Sequence, residues 1–150
     1  MTIGEICNRD VVTVQRDATI LQAAKLMRKN HAGDVVVIEN RKGKVVPVGI
    51  VTDRDVVIEV VATELDCSVF TVGDIILTGL TAVKESATIL EAIQRMSSKG
   101  IRRLPVVDDK GNLTGIVTLD DLLLLFAKEI GSLSKLVTQE QKNESVRRRS

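Results

Sequence analysis

The chain has 150 residues, of which 44% are hydrophobic and 27% are charged, and its net charge at pH 7 is +1. These values are typical of a soluble globular protein and exclude an intrinsically disordered chain. The near balance of charge leaves no general field that would attract nucleic acid or an anionic membrane. Aromatic residues make up only 1% of the chain, which excludes the aromatic platforms on which single-stranded nucleic acid stacks.

The start of the chain has neither the basic nor the apolar region of a secretory signal, and the longest apolar run, Leu122–Ala127, has six residues. A membrane-spanning helix needs about 20 apolar residues, so this run is too short. The sequence therefore predicts a cytoplasmic protein that does not enter a membrane.

Residues that carry catalysis or bind metals are scarce. Cys7, Cys67 and His31 are the only cysteines and histidine of the chain, whereas a structural zinc site takes about four ligands. Their spacing indicates neither a metal site nor a Cys–His nucleophile, and no phosphate-binding loop motif is present. We therefore expect two reduced thiols, no metal and no catalytic residues, and we do not expect an enzyme.

Comparison of the chain with itself finds an internal repeat. The segment Thr2–Ile6 reappears at positions 71–75, a shift of 69 residues. At the same shift, Val14–Met27 aligns with Val83–Met96, and seven of the 14 pairs are identical. About one identity is expected by chance, so the chain contains a duplication.

The second half of the repeat is aligned at a different shift. Gly49–Asp55 matches Gly115–Asp121 at a shift of 66 residues, so the first copy has three extra residues near a hairpin loop at 41–48. The predicted organisation is a first repeat at 1–62, a linker at 63–70, a second repeat at 71–131 and a C-terminal segment at 132–150.

Both copies predict the order strand, helix, strand, strand, helix. In each copy a threonine, Thr19 or Thr88, opens a capping box with the residue three positions later, and apolar residues follow at helical spacing. Strands are predicted at 34–38 and 103–107, turns at 40–44 and 108–112, further strands at 45–51 and 113–117, and second helices from near Asp53 and Leu119. One such unit leaves an apolar sheet face uncovered, so we expect the two copies to cover each other.

The order of these motifs resembles the CBS (cystathionine-β-synthase) domain, of which a tandem pair is called a Bateman module. The motifs are Thr-Ile-Leu-x-Ala and Gly-Ile-Val-Thr-x-x-Asp, each present twice, and the run Ile101–Asp108. The resemblance covers about residues 2–130. It implies an α/β (α+β) fold in which two β-α-β-β-α repeats pack through their sheets about a pseudo-twofold axis, and a homodimer shaped like a flat disc.

Many members of this family bind adenine nucleotides or related adenosyl compounds in the two clefts between the repeats. The resemblance therefore implies a stand-alone regulatory module for AMP, ADP, ATP, NAD(H) or S-adenosylmethionine, which signals through a partner protein on a separate chain. The alternative is a structural protein that dimerises and whose clefts are vestigial.

Two Thr-x-x-Asp motifs are candidates for binding ribose. Thr52 and Asp55, like Thr118 and Asp121, stand where a strand passes into a helix. A carboxylate in the first helical turn can accept hydrogen bonds from the diol of a ribose, and the resemblance implies one motif for each cleft. Ordinary capping of the helix is the alternative for both motifs.

Four basic residues are candidates for binding phosphate. The resemblance implies phosphate contacts just before the Leu-Pro-Val-Val strand, where Arg102 and Arg103 stand, and neighbouring residues of a strand point to opposite faces. We expect one of the two to face a cleft; a solvated surface pair is the alternative. The first copy has Gly33 and Asp34 there, and because a carboxylate repels phosphate, the two clefts are predicted to be unequal. The other candidates are His31, alternatively a structural histidine, and Arg54, alternatively paired with Asp53 or Asp55.

Adenine has no aromatic partner available nearby, so it must lie between aliphatic side chains and be recognised by backbone groups. The candidates are Val12, Thr13, Val14, Val35 and Val36 in the first repeat, with Thr81, Ala82, Val83 and Leu104 in the second.

The chain becomes polar after Gly131. We expect a C-terminal helix that lies on the module or on a dimer partner, followed by a solvated basic tail at Arg147–Arg149. Three arginines are too few to hold nucleic acid at physiological salt, so no nucleic-acid partner is expected.

Overall fold

The computed structural model describes residues Met1–Arg149; Ser150, the last residue of the predicted C-terminal segment, lies outside the described residues. The chain divides into two compact units, Met1–Val117 and a second that begins at Thr118.

The elements follow the predicted order in both repeats, and the predicted fold class is confirmed. The first repeat contains α1 (Ile3–Ile6), β1 (Thr13–Gln15), α2 (Ile20–Asn30), β2 (Asp34–Arg41), β3 (Lys44–Thr52) and α3 (Asp53–Asp55), which continues into a π-helical segment at Val56–Val61. The second contains α4 (Val72–Ile75), β4 (Val83–Lys84), α5 (Ile89–Lys99), β5 (Arg103–Val107), β6 (Leu113–Thr118) and α6 (Leu119–Arg149). The short helices α1 and α4 are additions to the predicted elements.

Two three-stranded sheets form, in the orders β1-β2-β3 and β4-β5-β6. In the first sheet β1 is parallel to β2, and β2 is antiparallel to β3. In the second, β4 is parallel to β5. The first strand of each repeat is therefore an edge strand.

The helices α2 and α5 begin and end at the predicted places for local chemical reasons. The Thr19 hydroxyl accepts a hydrogen bond from the N–H of Gln22, and the Thr88 hydroxyl accepts one from the N–H of Glu91, both at 3.1 Å. Both helices end at a residue with left-handed backbone geometry, which stops the helical hydrogen-bond pattern.

The core is aliphatic, as the composition predicts. Val35 and Val37 of β2 are buried in one cluster with Val51 of β3 and Ala23 of α2. Val36 points to the opposite face of β2 and is also fully buried. The central strand is therefore covered on both faces, which explains its run of three valines.

The first segment of each repeat is attached to the other repeat. Ile3 and Gly4 donate their N–H groups to the carbonyls of Ala87 and Glu85, each at 2.9 Å. The same two bonds recur between the positions equivalent by the duplication: from Val72 to Ala18 at 2.9 Å and from Gly73 to Arg16 at 3.0 Å. Val72 accordingly belongs to the core cluster of the first repeat. The sequence repeats and the two cores therefore do not have the same boundaries.

The first segments of the two repeats are thus exchanged, since each is bonded to the opposite repeat. Two equivalent glycines leave room for these exchanged segments. A Cβ on Gly115 would lie 2.6 Å from the Sγ of Cys7, and a Cβ on Gly49 would lie 2.9 Å from the Cβ of Ile76. Both distances are shorter than the contacts that a Cβ atom makes in packed proteins. A glycine is therefore required where each exchanged segment crosses a strand of the other repeat.

The helix α6 is continuous, whereas the sequence predicts a change after Gly131. One interior glycine costs a helix about 1 kcal/mol relative to alanine, and its neighbours are mostly good helix formers. All side chains from Phe126 to Arg149 are exposed. None of the helices within residues 1–149 combines the length and the apolar character that a membrane span requires.

Candidate functional site

The candidate site lies at one end of the first sheet, where β2 begins and β3 ends. Asp34 is paired with Thr52 in the antiparallel register, and α3 begins at the next residue. The N–H of Asp53 donates to the carbonyl of Gly33 at 2.9 Å. Two short connections of the chain are thereby held against each other, with the carboxylates of Asp34 and Asp53 close together.

An arginine from the second repeat reaches this end of the first sheet. The Nε atom of Arg103 lies 2.5 Å from the Oδ2 atom of Asp34. A Cβ on Gly33 would lie 3.5 Å from both the Nη2 atom of Arg103 and the Oδ2 atom of Asp53. The cluster therefore combines one guanidinium with two carboxylates, and its residues come from both repeats.

The Asp34–Arg103 ion pair is largely shielded from water, with side-chain exposures of 19% and 31%. Burial raises the pKa of Asp34, the Arg103 guanidinium lowers it by charge and by hydrogen bonding, and the charge of Asp53 raises it. The sequence predicts that Asp34 repels a phosphate. In the structure Asp34 also forms an ion pair with Arg103, one of the residues predicted to bind phosphate.

The Thr52–Asp55 motif forms a complete capping box. The N–H of Thr52 donates to Oδ2 of Asp55 at 2.8 Å, and the N–H of Asp55 donates to the Thr52 hydroxyl at 3.1 Å. The capping alternative is thus present in the structure. The second oxygen of the Asp55 carboxylate takes no part in the box, so a ribose contact there stays a prediction compatible with capping.

The second unit contains the matching motif. The N–H of Thr118 donates to Oδ2 of Asp121, and the N–H of Asp121 donates to the Thr118 hydroxyl, both at 3.1 Å. The ribose role predicted for these two residues also stays a prediction.

Capping boxes occur elsewhere in the chain, so their spacing alone does not indicate a ligand site. Boxes also begin at Thr2, Thr19, Thr71 and Thr88. What distinguishes Thr52 is its position: it is paired with Asp34, which holds Arg103 of the other repeat.

The two adjacent arginines differ as a strand requires. Arg103 is half-buried and pairs with Asp34, while Arg102 is exposed. Arg54 is also exposed, and its N–H donates to Oδ1 of Asp53 at 2.8 Å. His31 is exposed and ends α2, with a φ of 50°. The phosphate roles of these residues stay predictions.

The family model for the CBS domain matches residues 3–62 and 72–128. The chain belongs to the CBS-domain family. The predicted tandem pair is thereby confirmed, and the comparisons indicate no catalytic family.

Three known proteins show how far this CBS pair resembles others. An uncharacterised protein of Methanopyrus kandleri is 41% identical over 123 residues, which is 82% of this chain and 61% of that protein. The gamma-1 regulatory subunit of an SNF1-related protein kinase from Arabidopsis thaliana is 33% identical, over 79% of this chain and 32% of its own length. This chain therefore spans less than two thirds of either relative.

The third is a solved structure, the CBS domain pair of protein MJ0100 in complex with 5′-methylthioadenosine and S-adenosyl-L-methionine. It has a TM-score of 0.74 and 26% sequence identity, and the match covers 86% of this chain and 98% of that chain.

The predicted adenine residues fall into two groups in this CBS pair. Five of them have buried side chains that belong to the core: Val14, Val35, Val36, Val83 and Leu104. The other four are half-buried: Val12, Thr13, Thr81 and Ala82. A ligand could reach the second group without opening the core. The same holds for Val14, which lines an open groove, whereas contact with the other four buried residues would need such an opening.

Two residues of this region escape the sequence analysis as site residues. Asp53 stands there only as a helix cap or as a partner for Arg54, but it faces the Arg103 cluster. Arg95 donates from Nη1 to the carbonyl of Ala82 at 2.8 Å. The available signal is that Arg95 aligns with Leu26, an exchange of an apolar for a basic residue between matched helices.

The scarce reactive residues do not gather into a metal site. Within residues 1–149 no three His, Cys, Asp or Glu side chains come close enough to hold an ion. Cys7 and Cys67 are free thiols, and burial raises the pKa of Cys7, which disfavours its reactive thiolate.

Proposed function

We propose that this CBS pair is a regulatory module that binds an adenine nucleotide or a related adenosyl compound and signals to a partner protein. The observation that carries the proposal is that Arg103 of the second repeat lies against Asp34, beside Thr52 and Asp55. A ligand bound there would contact both repeats. The similarity to a CBS pair in complex with two adenosyl compounds supports the same ligand class.

In this proposal the ligand competes with a contact inside the protein. The Asp55 oxygen outside the capping box accepts a hydrogen bond from a ribose hydroxyl. The phosphate of a nucleotide, or the carboxylate of S-adenosylmethionine, takes the guanidinium of Arg103 from Asp34. Because Arg103 and Asp34 belong to different repeats, ligand binding would change the contact between the repeats. A ligand that favours the changed arrangement shifts the population toward it, and a partner protein can respond to that shift.

We also propose a homodimer, supported by an apolar stripe along α6. Five exposed residues follow one another at alternating spacings of three and four, the pattern of a helix–helix seam: Leu123, Phe126, Ile130, Leu133 and Val137. An exposed stripe of this kind indicates an interaction surface, and a second copy would cover it.

The alternative function, an interaction module with vestigial clefts, is favoured by one observation. Arg103 already forms an ion pair with Asp34, and this pair is largely shielded from water. If no ligand displaces Asp34, this pair is only a structural link between the repeats.

A thermal-shift assay separates the two functions. The chain is heated with AMP, ADP, ATP, NADH or S-adenosylmethionine, each at millimolar concentration. A ligand at about 100 times its Kd adds about 2.7 kcal/mol to the free energy of unfolding, so the melting temperature rises by several degrees. If none of the five compounds raises it, the ligand-binding function is wrong and the interaction module stands.

A further inference from the structure

Two grooves occupy equivalent positions in the two repeats. The first groove has a volume of about 700 Å³ and lies between β1 and α2; the second has about 600 Å³ and lies between β4 and α5. Their walls are formed by residues that match at the shift of 69, such as Gln15, Gln22 and Lys29 in the first groove and Lys84, Glu91 and Ser98 in the second.

The grooves differ at the end nearest the start of the strand. Thr13 and Val14 line the first groove, whereas their counterparts Ala82 and Val83 do not line the second. The start of the edge strand therefore forms part of the groove wall in the first repeat but not in the second.

One side chain on α5 accompanies the difference. Arg95 lines the second groove and donates from Nη1 to the carbonyl of Ala82 at 2.8 Å. The equivalent residue of α2 is Leu26, whose side chain has no donor and which lines the first groove. Two lysines, Lys25 and Lys29, line the first groove, but within residues 1–149 neither donates such a hydrogen bond to the carbonyl of Thr13.

The exposed strand edge offers the hydrogen-bond pattern that adenine needs. The N–H of Val36 donates to the carbonyl of Val12 at 2.9 Å, so the backbone groups of Val12 point into the sheet. Along a parallel strand successive residues alternate in direction, so the N–H and carbonyl of Thr13 point out of the sheet. Adenine presents an amine donor next to a ring-nitrogen acceptor, which matches this carbonyl and N–H.

We propose that each chain binds one adenosyl ligand, with its base against Thr13 in the first repeat, and that Arg95 closes the equivalent position at Ala82. This proposal rests on the proposed function, because it takes the ligand class from there. Of the two sets of predicted adenine residues, the set in the first repeat is then open to a ligand, and the set in the second repeat is closed by a side chain of the protein. A ligand at Ala82 would first have to displace a charge-assisted hydrogen bond.

The test counts ligands per chain by isothermal titration calorimetry with AMP and with S-adenosylmethionine. Arg95→Leu copies the first groove into the second, and we expect two sites per chain instead of one. Leu26→Arg copies the second groove into the first. We expect the affinity of the single site in the first repeat to fall by about tenfold or more. In the double variant the single site should return, now in the second repeat. Lys99→Leu removes another exposed basic residue of α5 outside the groove and should leave one site.

The outcomes separate this proposal from the proposed function. Two sites in the unaltered chain, or one unchanged site in Arg95→Leu, would overturn the self-closure while leaving adenosyl binding intact. If neither compound binds the unaltered chain or the Arg95→Leu variant, both proposals are wrong. Melting curves of every variant show whether it is folded, and the gain of a site in Arg95→Leu cannot come from unfolding.

Discussion

Asp34 and Arg103 occupy the same position in the two repeats, 69 residues apart, and they form an ion pair with each other. In two identical copies related by a twofold axis, the same charge would meet itself at this place. The duplicated chain instead carries opposite charges there. The comparison teaches that joining two repeats in one chain allows complementary charges where a symmetric pair would have repulsion.

Other matched positions differ much less. Thr19 and Thr88 make the same capping box, and Gly49 and Gly115 both allow an exchanged segment to pass. These positions serve the fold, which both repeats need equally. The differences lie at the end of the first sheet and at the grooves, where in our proposal only one repeat accommodates a ligand.

The largest expected effect tests what the repeats share, namely the exchanged segments. Ile3→Ala removes a fully buried side chain and should lower the free energy of unfolding by about 2–5 kcal/mol. Because each segment packs on the opposite repeat, the whole unit should unfold in one transition, as measured by urea denaturation. Leu77→Ala, at a residue that is 86% exposed, is the control and should change stability by less than about 0.5 kcal/mol. A loss confined to one half of the unit would contradict the exchange.

The next effect tests the opposite charges directly. Arg103→Asp places three carboxylates together and should cost about 1–3 kcal/mol, less than for a fully buried pair because the site is partly exposed. The double variant Asp34→Arg with Arg103→Asp restores opposite charges and should recover most of that loss. Urea denaturation of the two single variants and the double variant gives the coupling energy. If the costs of the single variants simply add, the ion pair contributes nothing.

A third effect concerns ligand affinity and separates capping from binding. Asp55→Ala should weaken the binding of the preferred adenosyl compound by about tenfold, or about 1.4 kcal/mol. Asp74→Ala is the matched control, because Asp74 closes a capping box with Thr71 at a different place in the fold. Both variants lose a box of similar kind. Equal affinities of the two variants would leave Asp55 with a structural role only.

The smallest effect is the pH dependence of the Asp34 contribution. Its pKa in the folded chain is raised above the ordinary value of 3.8, so the neutral carboxyl favours folding. This contribution is fully present below the ordinary pKa and is lost as the pH rises through the raised pKa. The asparagine in Asp34→Asn does not titrate. The free energy of unfolding of this variant minus that of the unaltered chain should therefore increase between pH 3 and pH 7. A constant or decreasing difference in urea denaturation across this range would show the opposite sign.

The sequence predicts most of the local structure because the signals are local. The box that begins at Thr19 and the turn at Asp108–Asn112 follow from residues a few positions apart, and the duplication itself is visible as repeated letters. Long-range features leave no such signal. Nothing near Ile3 indicates that it is bonded to Ala87, because that contact depends on how the two repeats meet.

The site was harder to predict for the same reason. Alignment puts Asp34 and Arg103 at one position, but only the fold brings the two side chains together. Val35 and Val36 fit an aliphatic wall by residue type, yet both are buried because β2 is the central strand. Whether an aliphatic residue lines a cleft or fills the core is decided by its neighbours in space.

The most direct test of the account compares the two strand edges in one experiment. AMP is titrated into the ¹⁵N-labelled chain, and the backbone amide signals of Thr13 and Ala82 are followed by NMR. The account predicts that the Thr13 signal moves with ligand concentration and saturates, while the Ala82 signal stays in place. Movement of the Ala82 signal with an unchanged Thr13 signal, or equal movement of both, would contradict it.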